Sequence, residues 1–324
     1  MLSELATRLR ASLGINQKKD IQAIATKLSG YVPHHDSTSI LLGDDCAAIP
    51  DGEGYLLLAA EGMWPTLVEN DPWFAGWCSV LVNVSDIYAM GGRPIAVVDA
   101  LWSQSTEQAQ PLWAGMIAAS QTFNVPIVGG HTNCHSAYEA LSVAILGRAQ
   151  QLITSFNAQP DDVLLLLADF NGQPHSGYLC WDAATQAKPK DLQQKLDLLP
   201  HLAAMNLCDA GKDISMGGIL GTALMLLETS KCGAILNLDA IPCPTALSLE
   251  QWLLSFPSYG FLLSVRPQHW QRIQHLAQPL GLVCEQIGVI KGDRQLTLTQ
   301  ANDSFCFWNF ATEPLTGFSG DIIH

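Results

Sequence analysis

A two-domain α/β architecture is the expectation for this chain, for three reasons. It has 324 residues, about twice an ordinary domain. Short apolar runs of strand character alternate with helical patterns along its whole length, as in layered α/β folds. Its residues are 48% apolar and only 14% charged, so each half has enough apolar surface to offset its ordering entropy.

Leu2, Leu5, Leu9 and Leu13, interleaved with Glu4, Arg8 and Arg10, make an amphipathic N-terminal helix rather than a signal peptide. A second short helix covers 21–28. Residues 41–60 read as two strands joined by the turn Pro50-Asp51-Gly52-Glu53-Gly54. Asp71-Pro72 supplies an N-cap and a first-turn proline for a helix to Met90, where Gly91-Gly92-Arg93-Pro94 stops it. A strand at 95–101, a helix at 108–123 and strands at 125–128 and 141–147 complete the first half. The polar stretch 150–161, with Pro160 and no clear period, sets the boundary, giving domains 1–150 and 151–324.

The second half alternates again. A strand at 163–168 precedes a helix at 192–205, a glycine-bearing turn at 213–218, a helix at 219–229 and a strand at 234–238. A helix at 246–254, a strand at 261–265, a helix at 268–277 and strands at 284–290 and 295–299 follow.

Sixteen Lys plus Arg against thirty Asp plus Glu give a net charge of −14, and no basic run exceeds Lys18-Lys19. That leaves no footprint for a nucleic-acid backbone or an anionic membrane. A bound phosphate must be held by backbone N–H groups or bridged by metal cations. The longest apolar runs, such as 163–168, fall far short of the ~20 residues that span a bilayer. Nine cysteines, none in a C-x-x-C pair, indicate neither a disulfide framework nor a structural zinc site. A soluble, unexported protein of the reducing cytoplasm is expected.

Residues equidistant from a hairpin turn lie opposite each other at its open end, which brings Asp44 and Asp45 near Glu61. Converging carboxylates repel unless cations sit between them, and hard oxygen ligands suit Mg²⁺ or Mn²⁺. Ser79, Asn83 and Asp86, spaced i, i+4, i+7, form a polar stripe on an otherwise apolar helix and need partners or a ligand. Two segments resemble phosphate cradles: Gly129-Gly130-His131-Thr132 after a strand, and Asp213-Ile214-Ser215-Met216-Gly217-Gly218 opening a helix. A zinc site of His131, Cys134 and His135 is a poor reading without a nearby fourth ligand. No P-loop and no G-x-G-x-x-G fingerprint is present. No lysine lies in any of these motifs.

In this order, the blocks from Gly43 to Ile49, from Asp71 to Gly76, from Asn83 to Gly92, from Gly129 to Thr132 and from Asp213 to Gly218 resemble the aminoimidazole ribonucleotide (AIR) synthase superfamily. AIR synthase (PurM), selenophosphate synthetase, thiamine-monophosphate kinase and the hydrogenase maturation protein HypE belong to it. The AIR synthase-related branch is the most similar. The resemblance covers residues 41 to the end and implies a PurM-like fold, with an N-terminal α/β domain pairing across a homodimer and an α/β C-terminal domain. It further implies ATP in the groove between the domains, its phosphates bound through divalent metals.

Carried over by position, Asp44, Asp45 and Asp86 match metal-binding acids, with Glu61 where several members have Asp. Asn83, Gly129, Gly130 and Thr132 match phosphate-side residues, and Ser215, Gly217 and Gly218 belong to the second cradle. Asp213 matches an active-site acid, and His131 stands where the thiamine-monophosphate kinase branch has Asp. No Cys precedes Cys46, whereas selenophosphate synthetase carries a reactive Cys or selenocysteine beside a Lys in its N-terminal loop, so selenophosphate formation is not expected.

The reading is a Mg²⁺-dependent, ATP-using phosphotransferase or ligase-type enzyme acting on a small metabolite, with Asp213 and His131 as catalytic candidates. The alternatives are a nucleotide-binding maturation or regulatory partner without turnover, and a metal-dependent hydrolase using the same acids and His131.

Overall fold

The computed structural model describes residues 1–28, 34–35 and 38–318. Two sheets organise it. The first has five strands: β1 (Ala47–Asp51), β2 (Gly54–Gly62), β3 (Arg93–Trp102), β4 (Ile127–Asn133) and β5 (Ala140–Ala149), in the order β1-β2-β5-β3-β4. All neighbours run antiparallel except β3 and β4. The β1–β2 register pairs Asp51 with Gly54 and Ala47 with Leu58, so the hairpin is real. The expected strand at 41–46 is instead a bend, because Gly43 takes a φ of +108° that a Cβ would strain and Phe318 fills the space beside it.

One face of this sheet is covered by α5 (Pro72–Ala89), and α6 (Thr106–Phe123) packs along α5. Asp71 caps α5, its side chain accepting from the Phe74 N–H, and Pro72 takes the first turn as expected. Phe74, Trp77, Val80, Leu81, Val84 and Ile87 are buried along α5, while Asp86 faces the cavity beside the second sheet. A helix between two layers has no solvent face, which explains its apolar composition all round.

The second sheet has seven strands: β6 (Val163–Ala168), β7 (Ala210–Asp213), β8 (Gly233–Asn237), β9 (Gly260–Val265), β10 (Val283–Lys291), β11 (Gln295–Gln300) and β12 (Asp303–Asn309). Their order is β7-β9-β6-β10-β8-β11-β12, with only β8 and β11 parallel. The expected helix at 192–205 is two helices, α7 (Pro189–Leu196) and α8 (Leu198–Ala204), because Pro200 fits only the first turn of a new helix. Strands β7 and β12 and the short α4 (Pro65–Asn70) were not expected. The Ala-Gly-Lys-Asp of β7 has little strand propensity, and its pairing with β9 makes it a strand. Helix α9 (Gly218–Thr229) agrees with the pattern.

Helices α1 (Leu2–Arg10) and α2 (Leu13–Lys18) begin the chain yet pack with the second sheet: Leu2, Ala6, Leu9 and Ile15 join its core. Arg10 lies 4.4 Å from the Trp308 ring centroid and pairs with Glu313. No described helix is long and apolar enough to cross a membrane. The described cysteines are all unpaired.

Candidate active site

Between the two sheets lies a cavity of about 350 Å³ to which both halves of the chain contribute. Asp44 and Asp45 enter from the bend before β1, Glu61 from the end of β2, and Asp86 from α5. Lys212 and Asp213 enter from β7, Ser215 from the turn after it, and Lys18 from α2.

Asp44 is fixed by backbone donors, its Oδ2 accepting from Ser155 N at 2.9 Å and its Oδ1 from Asp45 N at 3.0 Å. Asp45 accepts Asp213 N at 3.2 Å with Oδ2 and the Lys212 ammonium with Oδ1. Lys212 Nζ is also 3.9 Å from Asp44 Oδ1, and the side chains of Lys212, Asp44 and Asp45 are 4%, 1% and 6% exposed or less. Such a triad joins the two halves through a buried ion pair.

Asp45, Asp86 and Asp213 each offer an oxygen within 4.8 Å of the others. Among the described residues, Asp86 Oδ2 and Asp213 Oδ1 are buried without a hydrogen-bond partner. Asp213 Oδ2 accepts from Ser258 Oγ at 3.2 Å. Two buried oxygens that nothing satisfies, facing a third carboxylate, form a donor set suited to a hard divalent cation. Glu61 stands exposed at the rim.

The charges act strongly on one another here. Burial, aided by Asp45, pushes the Asp44 carboxyl up to about 6 despite Lys212. Burial and the charge of Asp45 push Asp213 to about 7, and burial with Asp213 and Glu61 holds Asp86 well above the usual range. Burial opposes the Lys212 ammonium, but Asp45 and Asp44 outweigh it and hold its pKa above the ordinary value. Burial and Lys212 lower that of Lys18.

Acids whose pKa is raised by folding bind protons more tightly in the native state. The stability they contribute is complete below pH 4 and is lost as pH rises through about 6 for Asp44 and about 7 for Asp213. Metal-free protein is therefore expected to unfold at lower urea concentration at pH 7.5 than at pH 5.5, with Mn²⁺ flattening the difference. Urea midpoints that rise steadily with pH in EDTA would refute the crowded-carboxylate account.

Asp44, Asp45, Glu61, Asp86, Asp213 and Ser215 thus come together, and the other expected site residues do not. Asn83 is fully buried in α5, its amide donating to Ser79 O at 2.8 Å, one turn from Asp86 but not on the cavity. Gly129, Gly130, His131 and Thr132 do not form a cradle after a strand. They continue β4 at the sheet edge, where backbone pairing with β3 leaves no room for a Cβ on Gly130 beside Asp99, and all four are exposed away from the cavity.

The second cradle is closed by packing. A Cβ on Gly14 would lie 2.7 Å from Gly217 N, so α2 covers the N-terminus of α9, and Gly218 is pressed against the Leu253–Leu254 backbone. The motifs themselves hold no lysine, yet two lysines from outside them reach the cavity. Lys212 directly precedes the Asp213 block. Lys18 reaches Ser215 Oγ at 3.2 Å only because α2 docks there.

Comparison with known proteins gives the same fold and lineage. The AIR synthase related protein models match residues 43–149 for the N-terminal domain and 159–300 for the C-terminal domain. An uncharacterised protein of Synechocystis sp. is 63% identical over 99% of this chain and 100% of its own length. Selenide, water dikinase of Geobacter metallireducens is 28% identical over 73% of this chain and 72% of its own. Thiamine-monophosphate kinase of Pyrococcus horikoshii is 28% identical over 62% of this chain and 67% of its own.

Among solved structures, T. maritima PurL complexed with ATP superposes with a TM-score of 0.71 at 18% identity, covering 92% of this chain. This chain spans about half (50%) of that PurL chain. AaThiL complexed with AMPPCP and TMP gives a TM-score of 0.67 at 18% identity, covering 87% of this chain and 94% of its own. The architecture is PurM-like.

Proposed function

The chain belongs to the AIR synthase related protein family, and on that premise we propose that it is an ATP-binding enzyme using Mg²⁺ or Mn²⁺ to transfer a phosphoryl group to, or activate, an oxygen of a small metabolite. The observation that carries this reading is the convergence of Asp45, Asp86 and Asp213 from three separate elements, with orphaned oxygens on two of them. Burying carboxylates in this way costs stability that a bound cation would offset, which supports a metal-nucleotide site. Turnover is what distinguishes the enzyme from a non-catalytic partner protein.

Asp45, Asp86 and Asp213 would hold the cation, with Glu61 at the rim beside them. When bound, it supplies charge neutralisation to a triphosphate. Lys18, on α2, brings a further positive charge to the cavity, while Lys212 is committed to Asp45 and Asp44. In transfer, a lone pair of the acceptor oxygen forms the bond to the γ-phosphorus and the bond to the ADP oxygen breaks, its pair leaving with ADP. The acceptor's proton passes to a carboxylate of the cluster.

The test is ATP turnover with Mg²⁺ against a panel of small metabolites, separating ADP from AMP. Acceptor-dependent ADP release is expected. Tight ATP binding with no turnover on any acceptor would favour the partner-protein reading.

We further propose a homodimer. The face of the five-stranded sheet opposite α5 and α6 carries exposed Leu58, Val98 and Leu146, with Leu58 and Leu146 paired across β2 and β5. β4, with His131, lies at its margin. An open apolar sheet face of this kind is ordinarily covered. Sedimentation at micromolar concentration is expected to give twice the chain mass, and Leu146→Glu to give a folded monomer. A wild-type monomer would remove the interface.

A further inference from the structure

A second cavity of about 190 Å³ opens beside the carboxylate cavity and shares Trp64, Tyr178, Met216 and Phe256 with it. Its chemistry is the opposite of its neighbour's. Among the described residues, no Asp, Glu, Lys, Arg or His lines it. Trp64 and Tyr178 meet edge to face, with centroids 5.9 Å apart at 69°, and the Tyr178 hydroxyl donates to Thr66 O at 3.4 Å, which holds its ring in place.

Leu13 and Leu179, 59% and 44% exposed, extend the apolar lining to the surface. One polar atom there lacks a partner: Ser12 Oγ is buried and makes no hydrogen bond among the described residues.

We propose that this cavity takes the planar ring of the metabolite, placing a hydroxyl or phosphate on that ring toward Asp45, Asp86 and Asp213, so that the substrate is a small aromatic or heteroaromatic alcohol or its phosphate. The proposal rests on the ATP-using reading of the adjoining site. Aromatic and thioether walls favour the face and edge of a ring over an aliphatic polyol, whose hydroxyls would be stripped of water without replacement partners. The volume lies below the ~300–1,000 Å³ typical of drug-sized pockets, so it suits a single ring. A purine base is the other planar candidate, but several ring nitrogens and an amino group would outnumber the polar side-chain groups on the lining, which are the Ser12 hydroxyl, the Gln17 amide, the Trp64 indole N–H and the Tyr178 hydroxyl already given to Thr66. The assignment is therefore to the acceptor and not to the nucleotide base.

The experiment titrates the full-length protein by calorimetry with 4-hydroxybenzyl alcohol, xylitol and Mg-ATP, on wild type and on Leu179→Arg. Leu179 is exposed and its backbone bond to Phe256 is kept, so a charge is placed in the cavity mouth with little burden on folding. Wild type is expected to bind the aromatic alcohol at least about tenfold more tightly than xylitol, and Leu179→Arg to lose about tenfold for the aromatic probe while ATP changes less than about twofold.

If Leu179→Arg does not melt cooperatively, Ser12→Ala reads the same site, with an expected loss of about threefold confined to the aromatic probe. Equal binding of aromatic alcohol and xylitol overturns the proposal. So does an equal loss of ATP affinity in the variant, which would make this the base pocket. Aromatic binding that persists in a protein that never binds ATP overturns the ATP-using reading instead and leaves the cavity's chemistry standing.

Discussion

Lys212→Met is expected to cost about 3–5 kcal/mol of stability, the range for removing one partner of a buried ion pair. Its ammonium holds Asp45 and stands 3.9 Å from Asp44, in a place where all three side chains are shut off from water. Methionine keeps the length of the side chain and removes only the charge, so two carboxylates are left buried beside Asp213 and Asp86 without the ammonium that pairs with them. The loss is electrostatic and not one of packing, and it should shrink as pH falls and the carboxylates protonate.

Adding Asp45→Asn to Lys212→Met should recover part of the loss, because the uncompensated charge then goes too. Urea unfolding of the wild type, both single variants and the double variant measures it. A cost below about 1 kcal/mol for Lys212→Met, or no recovery in the double variant, would mean that water reaches the triad and that it does not join the two halves of the protein.

Asp86→Asn should separate stability from ligand binding, raising one and lowering the other. The asparagine has nearly the same shape and sits in the same buried position on α5, but it removes a carboxylate that burial, Asp213 and Glu61 all disfavour in its charged form. Metal-free Asp86→Asn should therefore be at least as stable as wild type at pH 7.5, by up to about 1 kcal/mol. Its Mg-ATP affinity should fall about 100-fold or more, near 2.7 kcal/mol, because one of three converging cation ligands has lost its charge.

In wild type, Lys18 keeps a positive charge in the cavity when EDTA removes the metal. Weak residual ATP binding is expected without Mg²⁺. Calorimetry on wild type and Asp86→Asn, with Mg²⁺ and with EDTA, checks both halves. Equal ATP affinity in all four combinations would remove the metal bridge.

The local pattern determined much of this protein. The N-cap Asp71 with Pro72, the unbroken apolar run 163–168, and the glycines ending α5 act over a few residues, so their positions along the chain could be read directly. That Asp44, Asp45 and Glu61 fall at one end of the hairpin was legible because a hairpin turn converts sequence distance into spatial register. The polar stripe singled out Asp86 and the glycine-bearing turn Asp213, while the family resemblance assigned their roles, because their separation in sequence carries no geometric information of its own.

Tertiary structure decided the rest. Glycine pairs look alike in a sequence whether they bind an anion, continue an edge strand or admit a neighbouring backbone. Gly129-Gly130 does the second and Gly217-Gly218 the third. Lys18 lies 194 positions before Lys212, and nothing local says that α2 will dock on α9 and bring both ammonium groups to one cavity. Trp64, Tyr178, Met216 and Phe256 each read as ordinary core residues. Only the packing of the start of α4, the segment after β6, the segment before β9 and the turn before α9 makes them a single apolar wall beside the carboxylates, because a cavity is a property of facing surfaces and not of any one segment.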